Sequence, residues 1–522
     1  MLTLVRRPPR KIRLRALGAA IGGSLIAVLI AAIPLFQGWD DSIAETFVSR
    51  LEALAFGETA LSPLSPLALS ALAIFAPVMA ALVAGGFIGI RAGLRANKRM
   101  ARLVDTGRIA AFALPVFFAA PLLTGAAGSD PLLSYLLAMA AMSVALLALA
   151  ASMAMNVTLI RRRALADEGP VLAGESAPWL RRKILRREAR RDYLLRSQRL
   201  FGWGVGLAAI AEHVFDIDGA GCALMRAAVS GDALSLSAAA FVLGAIFVTG
   251  TALVLFIHLL MAPGRARRQR DQNLLPRGRR RGDTLRSFGV LSIFGFLTAA
   301  LYALALYGPA LLPGFSGYSE LVETTSTTLI LTLAALAASG LAATILALLL
   351  APETGIGRLI DALAGSAAAA PPLLLAIIVA ALSAGHGFTL LAATAAILFP
   401  LMFSIIHRAV LQAGRTGYAE AVRVSGAGEG SILLRHVLPN VMPVVAGSLL
   451  SFLPAALLLI STLDFAGLGG AGDPPTLGAI IAKASRAGYD GASLGAAAAL
   501  ALLLALAALS TARLSRREGP RP

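Results

Sequence analysis

Apolar runs of 18 or more residues, each long enough to cross a hydrocarbon core of roughly 30 Å, recur along the whole of this chain. Lipid offers the backbone no hydrogen-bond partner, so each run has to close its own hydrogen bonds as a helix, and the expected fold class is all-α and polytopic. The intervals between the runs leave no room for a separate soluble domain. Composition agrees, with 58% of the 522 residues hydrophobic and only 14% charged, too apolar for a water-soluble protein of ordinary make-up.

Bounded by charge, the runs lie near 16–36, 66–90, 109–127, 132–160, 201–215 and 237–262, then near 288–312, 326–351, 369–384, 389–411, 441–464 and 492–513. This predicts about 12 transmembrane helices in two sets of six. The chain divides accordingly into an N-terminal half (1–262), a basic linker (263–286) and a C-terminal half (287–522). The linker is rich in Arg, Gln and Asp, with Pro276 and Gly278, and reads as a solvated cytoplasmic segment. The first run leads into bulky Phe36 rather than a small-residue cleavage site and is read as a retained span.

The net charge of +18, with clusters such as Arg277, Arg279, Arg280 and Arg281, resembles a phosphate-binding patch. The membrane accounts for it better, because Lys and Arg collect in cytoplasmic loops, and no nucleic-acid partner is expected. With both termini inside, all 46 Lys and Arg fall on the inner side except Arg50, Arg226, Lys483 and Arg486. The outer loops carry acids instead, among them Asp40, Asp41, Glu45, Glu320 and Glu323. The weakest run is 201–215, which ends in Glu212, His213 and Asp216. A charge at mid-membrane costs about 2.5–3.5 kcal/mol, so these residues are expected at the outer boundary or along a water-filled path.

Chemistry-bearing groups are sparse. The single cysteine, Cys222, excludes an intramolecular disulfide or multi-cysteine metal site. His213, His258, His386, His407 and His436 share no metal-ligand spacing. No phosphate-cradling Gly-Lys-Ser/Thr loop is present. The chain is therefore expected to hold no metal or cofactor and to carry out no bond chemistry.

One loop stands apart. Residues 412–440 contain Tyr418-Ala-Glu420-Ala421-Val-Arg423-Val-Ser-Gly426-Ala-Gly428-Glu-Gly430, then Ile432-Leu-Leu-Arg435-His436-Val-Leu438-Pro439-Asn440. This reads as a helix, a break that the three glycines allow at positive φ, and a second helix with Ile432, Leu433, Val437 and Leu438 on its apolar face. Pro439 is expected to redirect the chain into the next span. Such a helix pair can dock on a partner protein or lie against its own bundle, and the residues alone leave both open. The segment resembles the EAA coupling loop of bacterial ABC importer permeases, in the form found in the second permease of the dipeptide, oligopeptide and nickel family. Glu420 and Ala421 match the signature start, Gly426 its glycine, and His436 to Asn440 its end. Val422 departs from the usual second alanine.

Further on, Asp464-Phe465-Ala-Gly467-Leu-Gly469 and Pro474-Pro475-Thr476-Leu-Gly478 resemble the outward loop of the same permeases, including the microcin C branch. In the first half, Glu212-His-Val-Phe215 with Gly219 and Gly221 resembles the outward loop of the family's first permease. Arg181 to Arg191 match the end of its coupling loop only loosely, and no glycine stands near Ala177. An altered first docking site is therefore expected. The resemblance implies a multi-pass protein of the bacterial inner membrane, with both permease halves fused in one chain. It also implies two ATPase subunits or one fused ATPase that bind ATP and Mg, an extracytoplasmic solute-binding protein, and peptides or peptide-like cargo moved by alternating access. The rival classes are an ion- or proton-coupled secondary transporter, which needs ionisable groups within spans, and a membrane scaffold.

Overall fold

The computed structural model describes residues 9–32, 41–57, 59, 64–95, 104, 130–167, 178–260, 281–311, 319–351, 360, 363–368, 370–383, 388–469, 474–487 and 491–517. The expected 109–127 span, Ala177 and most of the 263–286 linker lie outside them. Among the described residues all regular structure is helical. The order is α1 (Pro9–Ala32), α2 (Asp41–Phe56), α3 (Pro66–Ala80) passing through a π-turn (Ala81–Gly85) into α4 (Gly86–Arg95), α5 (Pro131–Asp167), α6 (Pro178–Arg196), α7 (Gln198–Val214), α8 (Ala220–Ser230) and α9 (Ala233–Leu260). There follow α10 (Arg281–Leu311), α11 (Ser319–Leu349), α12 (Pro372–Leu382), α13 (Thr389–Gly414), α14 (Gly417–Val424), α15 (Glu429–Ser431) with a π-turn (Ile432–Val437), α16 (Leu438–Phe465), α17 (Leu477–Ala487) and α18 (Gly491–Arg517).

Among the described residues, six stretches are long and apolar enough to cross a membrane: Pro66–Leu94, Pro131–Arg162, Ala233–His258, Ser319–Leu349, Thr389–Gly414 and Glu429–Phe465. Shorter apolar helices, Ile21–Ala32, Gly289–Leu304, Pro372–Leu382 and Gly495–Ala507, fall on four more of the expected runs. The 201–215 run forms α7, which has 17 residues, at the lower end of the roughly 17–25 that a crossing helix takes. The protein is thus a polytopic all-α membrane protein.

The chain splits into two compact units, residues 1–269 with 369–374 and residues 270–368 with 375–522. In unit 1 the α3–α4 helix lies on α5 along Gly85, Gly89 and Gly93. A Cβ on Gly85 would sit 2.6 Å from that of Ala150, one on Gly89 would run into the Ala151 carbonyl, and one on Gly93 would sit 2.6 Å from Thr158 Cβ. Glycine at every fourth position lets two backbones approach closely, the main source of helix attraction in lipid. The intervening π-turn sits against α6, where the Tyr193 hydroxyl donates to the Leu82 carbonyl at 3.1 Å. On α6 itself Leu185, Ala189 and Tyr193, four apart, are buried, while Arg182, Lys183, Arg186, Arg187 and Arg190 are exposed.

In unit 2, α11 packs against α10, α13 and α16. Its buried side carries Thr324, Thr328, Thr332 and Ser339. Thr328 and Thr332 return their hydroxyls to carbonyls four residues back, at 2.7 and 2.6 Å, which lets a polar side chain sit in an apolar interface. Ser339 also reaches the Ala395 carbonyl on α13 at 3.2 Å. At Pro439 the chain passes into α16 without a break, because Glu429 to Phe465 is one helical run. Proline lacks an N–H for the preceding turn, and the ladder widens into the π-turn over Ile432–Val437 instead of breaking. The Asn440 side chain donates to the His436 carbonyl at 2.8 Å within this stretch.

Candidate functional site

The loop at 412–440 folds as a short helix, a tight turn and a helix. Thr416 caps α14, its hydroxyl accepting from the Ala419 N–H at 3.4 Å. The helix ends in a Schellman turn: the Gly426 N–H reaches the Arg423 carbonyl at 3.1 Å and the Ala427 N–H the Val422 carbonyl at 3.4 Å. This geometry needs a left-handed residue after the cap, and Gly426 supplies it with φ of 85°. Of the three glycines expected to serve the break, only Gly426 does so. Gly428 is an extended N-cap with φ of −65°, and Gly430 lies within α15.

Two contacts brace the pair. Arg423 and Glu429 face each other across the turn, with Nε to Oε1 at 2.5 Å and a second hydrogen bond from Nη2 to Oε2 at 3.3 Å. That hydrogen bond and then the charge of Glu429 raise the Arg423 pKa above its ordinary value. Tyr418 and His436 pack edge to face with centroids 5.3 Å apart, and the Tyr418 hydroxyl lies 3.0 Å from His436 Nδ1.

The apolar face divides in two. Ala419, Ile432 and Val437 are buried, so part of the pair lies on its own unit. Tyr418, Val424 and Leu434 stay 59%, 85% and 61% exposed. Beside them Glu420, Ala421, Arg423, Arg435 and Pro439 are exposed, with His436 and Leu438 partly covered. Three large apolar side chains thus stay exposed within one charged tip.

The residues expected in outward loops gather at two further places. In unit 1, α7 closes with the Ile217 N–H on the Glu212 carbonyl at 2.8 Å and Asp216 at φ 50°, the one described non-glycine residue with positive φ. Glu212 is 1% exposed. Its carboxylate is taken up by protein donors. The Ser70 hydroxyl donates to Oε1 at 2.7 Å, and the Gly221 and Cys222 N–H groups donate to Oε2 at 2.7 and 3.2 Å. Gly219 and Gly221 pack on the same carboxylate, and Phe215 is buried.

In unit 2, α16 closes with the Leu468 N–H on the Leu463 carbonyl at 3.0 Å and Gly467 at φ 78°. Asp464 Oδ2 accepts from the N–H and hydroxyl of Thr476 at 2.9 and 2.7 Å. Phe465 is buried, and a Cβ on Gly469 would sit 2.5 Å from Asp464 Oδ1. Sequence reasoning missed Ser70 and Thr328, since a hydroxyl inside an apolar run carries no local mark of its partner.

Three of the four exceptions to the charge pattern are paired with acids. Arg226 bonds Asp216 and Asp218 at 2.9 and 3.3 Å, Arg50 approaches Asp232 at 3.9 Å, and Lys483 approaches Glu320 at 3.6 Å. Among the described residues no three His, Cys, Asp or Glu side chains converge as a metal site.

Residues 339–520 match the family of binding-protein-dependent transport system inner membrane components. The matched region takes in the helix-turn-helix at 412–440, the Asp464 cluster and α18. A stretch of 79 residues is 34% identical to the peptidoglycan transport system permease protein YejE of Agrobacterium fabrum, covering 15% of this chain and 21% of that protein. The chain thus aligns with only about a fifth of this curated relative. No solved structure matches.

Proposed function

We propose that this chain is the permease of an ATP-driven, binding-protein-dependent importer of the bacterial inner membrane, with both permease halves in one polypeptide. The observation that carries the reading is the exposed tip made by Tyr418, Val424 and Leu434 within the matched region. It is a docking surface braced by Arg423–Glu429 and turned by Gly426. ATP-binding partner subunits, two or one fused, bind there and close on each other with ATP and Mg. Glu420 to Pro439 then carry that movement into α16, because α15, the π-turn and α16 form one helical run and move together.

The cargo class is peptides or peptide-like solutes, with peptidoglycan fragments among them, as suggested by the resemblance of the loops and by the relative's name. A separate solute-binding protein selects the cargo and delivers it to the loops around α8 and α17. A secondary transporter would require a titratable group free to change partners within the spans. Glu212, the strongest candidate, is held by three hydrogen bonds from Ser70, Gly221 and Cys222.

The test is purification of the tagged chain from native membranes in mild detergent, with and without Glu420→Lys, identifying co-purifying proteins and measuring vanadate-sensitive ATP hydrolysis. Wild type is expected to bring down an ATPase with activity. Reversing a charge on the docking face repels a partner built for the original sign, so Glu420→Lys should lose both while inserting normally. Equal ATPase recovery by the two chains would refute the coupling role.

A further inference from the structure

Two places some 250 residues apart solve one problem with the same parts. A helix that begins just after a tight turn has N–H groups with no partner inside it. At the start of α8, Ala220 donates to Ser70 Oγ at 2.8 Å, and Gly221 and Cys222 donate to Glu212 at 2.7 and 3.2 Å. At the start of α17, Leu477 donates to Thr328 Oγ1 at 3.0 Å and Gly478 to Thr476 Oγ1 at 3.1 Å, while Asp464 holds Thr476 in place. Each clasp therefore takes a hydroxyl from a long span (Ser70 on α3, Thr328 on α11) and a carboxylate from the end of the preceding helix.

The match extends to packing and surface. A Cβ on Gly221 would strike Ala209, three residues before Glu212, and one on Gly478 would strike the carbonyl of Ser461, three residues before Asp464. Five residues beyond each glycine stand Arg226 and Lys483, the paired cations that break the charge pattern. No single residue identity is shared by the two carboxylates or the two hydroxyls, so this repeat is one of geometry.

We propose that Glu212 and Asp464 are equivalent positioning residues, one in each unit, that each hold the following helix, α8 or α17, rigidly on the outward side of its own unit. The Glu212 carboxylate is set against the first N–H groups of α8, where hydrogen bonds and the helix dipole hold it, and Asp464 holds Thr476, the residue before α17, whose hydroxyl accepts from Gly478, so each clasp acts as a strut. The outward direction rests on the importer reading, whereas the clasp itself does not.

The chain's only cysteine reports on the first clasp, since Cys222 is buried in it. The test labels the full-length chain in intact spheroplasts with a membrane-impermeant maleimide. Glu212→Ala should raise the Cys222 labelling rate on the order of tenfold or more, because buried hydrogen bonds to a charge are lost and the helix start opens locally. Glu212→Gln should fall between, as its amide oxygen can accept from Gly221 and Cys222 while its nitrogen donates to Ser70. Asp464→Ala should leave Cys222 at the wild-type rate but speed labelling of Ala479→Cys in a Cys222→Ala background. In the co-purified complex, periplasmic extract should stimulate ATP hydrolysis with wild type and Glu212→Gln but not with either alanine variant.

Equal labelling of wild type and Glu212→Ala would overturn the clasp. Undiminished stimulation in both alanine variants would overturn the positioning role. If Glu212→Ala labels faster only after the cells are opened, the clasp stands and the outward assignment falls. Absence of any ATPase from the wild-type preparation defeats the importer reading, and the labelling arm still decides the clasp.

Discussion

Helices α6 and α7 in unit 1 and the Glu429–Phe465 run in unit 2 are built to one plan at one end and to different plans at the other. At the far end both close in a Schellman turn and both give a carboxylate to the helix that follows. At the near end unit 2 has a Gly426 turn, an exposed apolar tip and an apolar helix. Unit 1 has instead the 19 residues of α6, with Arg182, Lys183, Arg186, Arg187 and Arg190 on the open face. The difference shows which demands are internal. Buried N–H groups at a helix start have to be satisfied whatever the protein meets outside, so both units carry a clasp although its residues differ. An exposed face answers only to its partner and is free to diverge.

The strongest way to break this comparison is to fill the closest approach in each unit. Gly221→Ala pushes a methyl into the Ala209 backbone, and Gly478→Ala pushes one into the Ser461 carbonyl. Neither backbone can yield as a side chain can, so each substitution should cost about 2–3 kcal/mol, as overpacking does. Gly289→Ala, with nothing within 4 Å of the added methyl, is the control. Detergent unfolding by SDS titration should show both clasp variants destabilised and the control unchanged. Loss in only one unit would mean that the two clasps are not equivalent.

A smaller effect, confined to unit 2, is expected at Gly426. A Cβ there meets nothing within 4 Å, so the whole cost of Gly426→Val is the left-handed backbone, about 1–2 kcal/mol. That loss should appear as weaker ATPase co-purification with insertion intact. Gly426→Asn, which tolerates this conformation, should retain most binding. Equal binding by all three chains would remove the turn from the coupling mechanism.

Much of the plan was legible in the sequence because hydropathy acts locally. Ten of the expected runs coincide with apolar helices, and the turn at Gly426 announces itself through glycine between two helical patterns. What was hidden depended on distant partners. The partners of Glu212 could not be read, because nothing in positions 201–215 shows that Ser70, 142 residues earlier, donates to it. The π-turn before Pro439 was equally hidden, because a proline's local rule takes no account of a turn that can absorb the missing N–H. The Gly85, Gly89 and Gly93 seam also escaped notice, since its reason is the backbone of α5.

The Arg423–Glu429 bridge gives a subtler test of what unit 2 adds. Both side chains are about half exposed, at 44% and 55%, so water screens the pair and the bridge adjusts the turn more than it holds it. Arg423→Glu should modestly reduce ATPase co-purification by setting like charges face to face. Adding Glu429→Arg should restore it if the brace matters as a pair. If the double variant stays as weak as the single one, Arg423 acts by touching the partner directly.

The smallest effect expected lies two residues beyond the Schellman glycine, and it separates conformation from sequence pattern. Gly428 sits in the glycine-rich break, yet its φ of −65° is open to any residue, and a Cβ there meets nothing within 4 Å. It precedes α15 as an N-cap that contributes no side-chain hydrogen bond. Serine at such a position can accept from the N–H groups of the first turn, and exchange between glycine and a capping residue changes stability by only a few tenths of a kcal/mol. Gly428→Ser should therefore leave ATPase binding unchanged and raise stability slightly in the same SDS titration. If it instead uncouples the transporter as Gly426→Val does, the partner must approach the Gly428 backbone more closely than a side chain allows. The docking surface would then extend from the apolar tip across the turn itself.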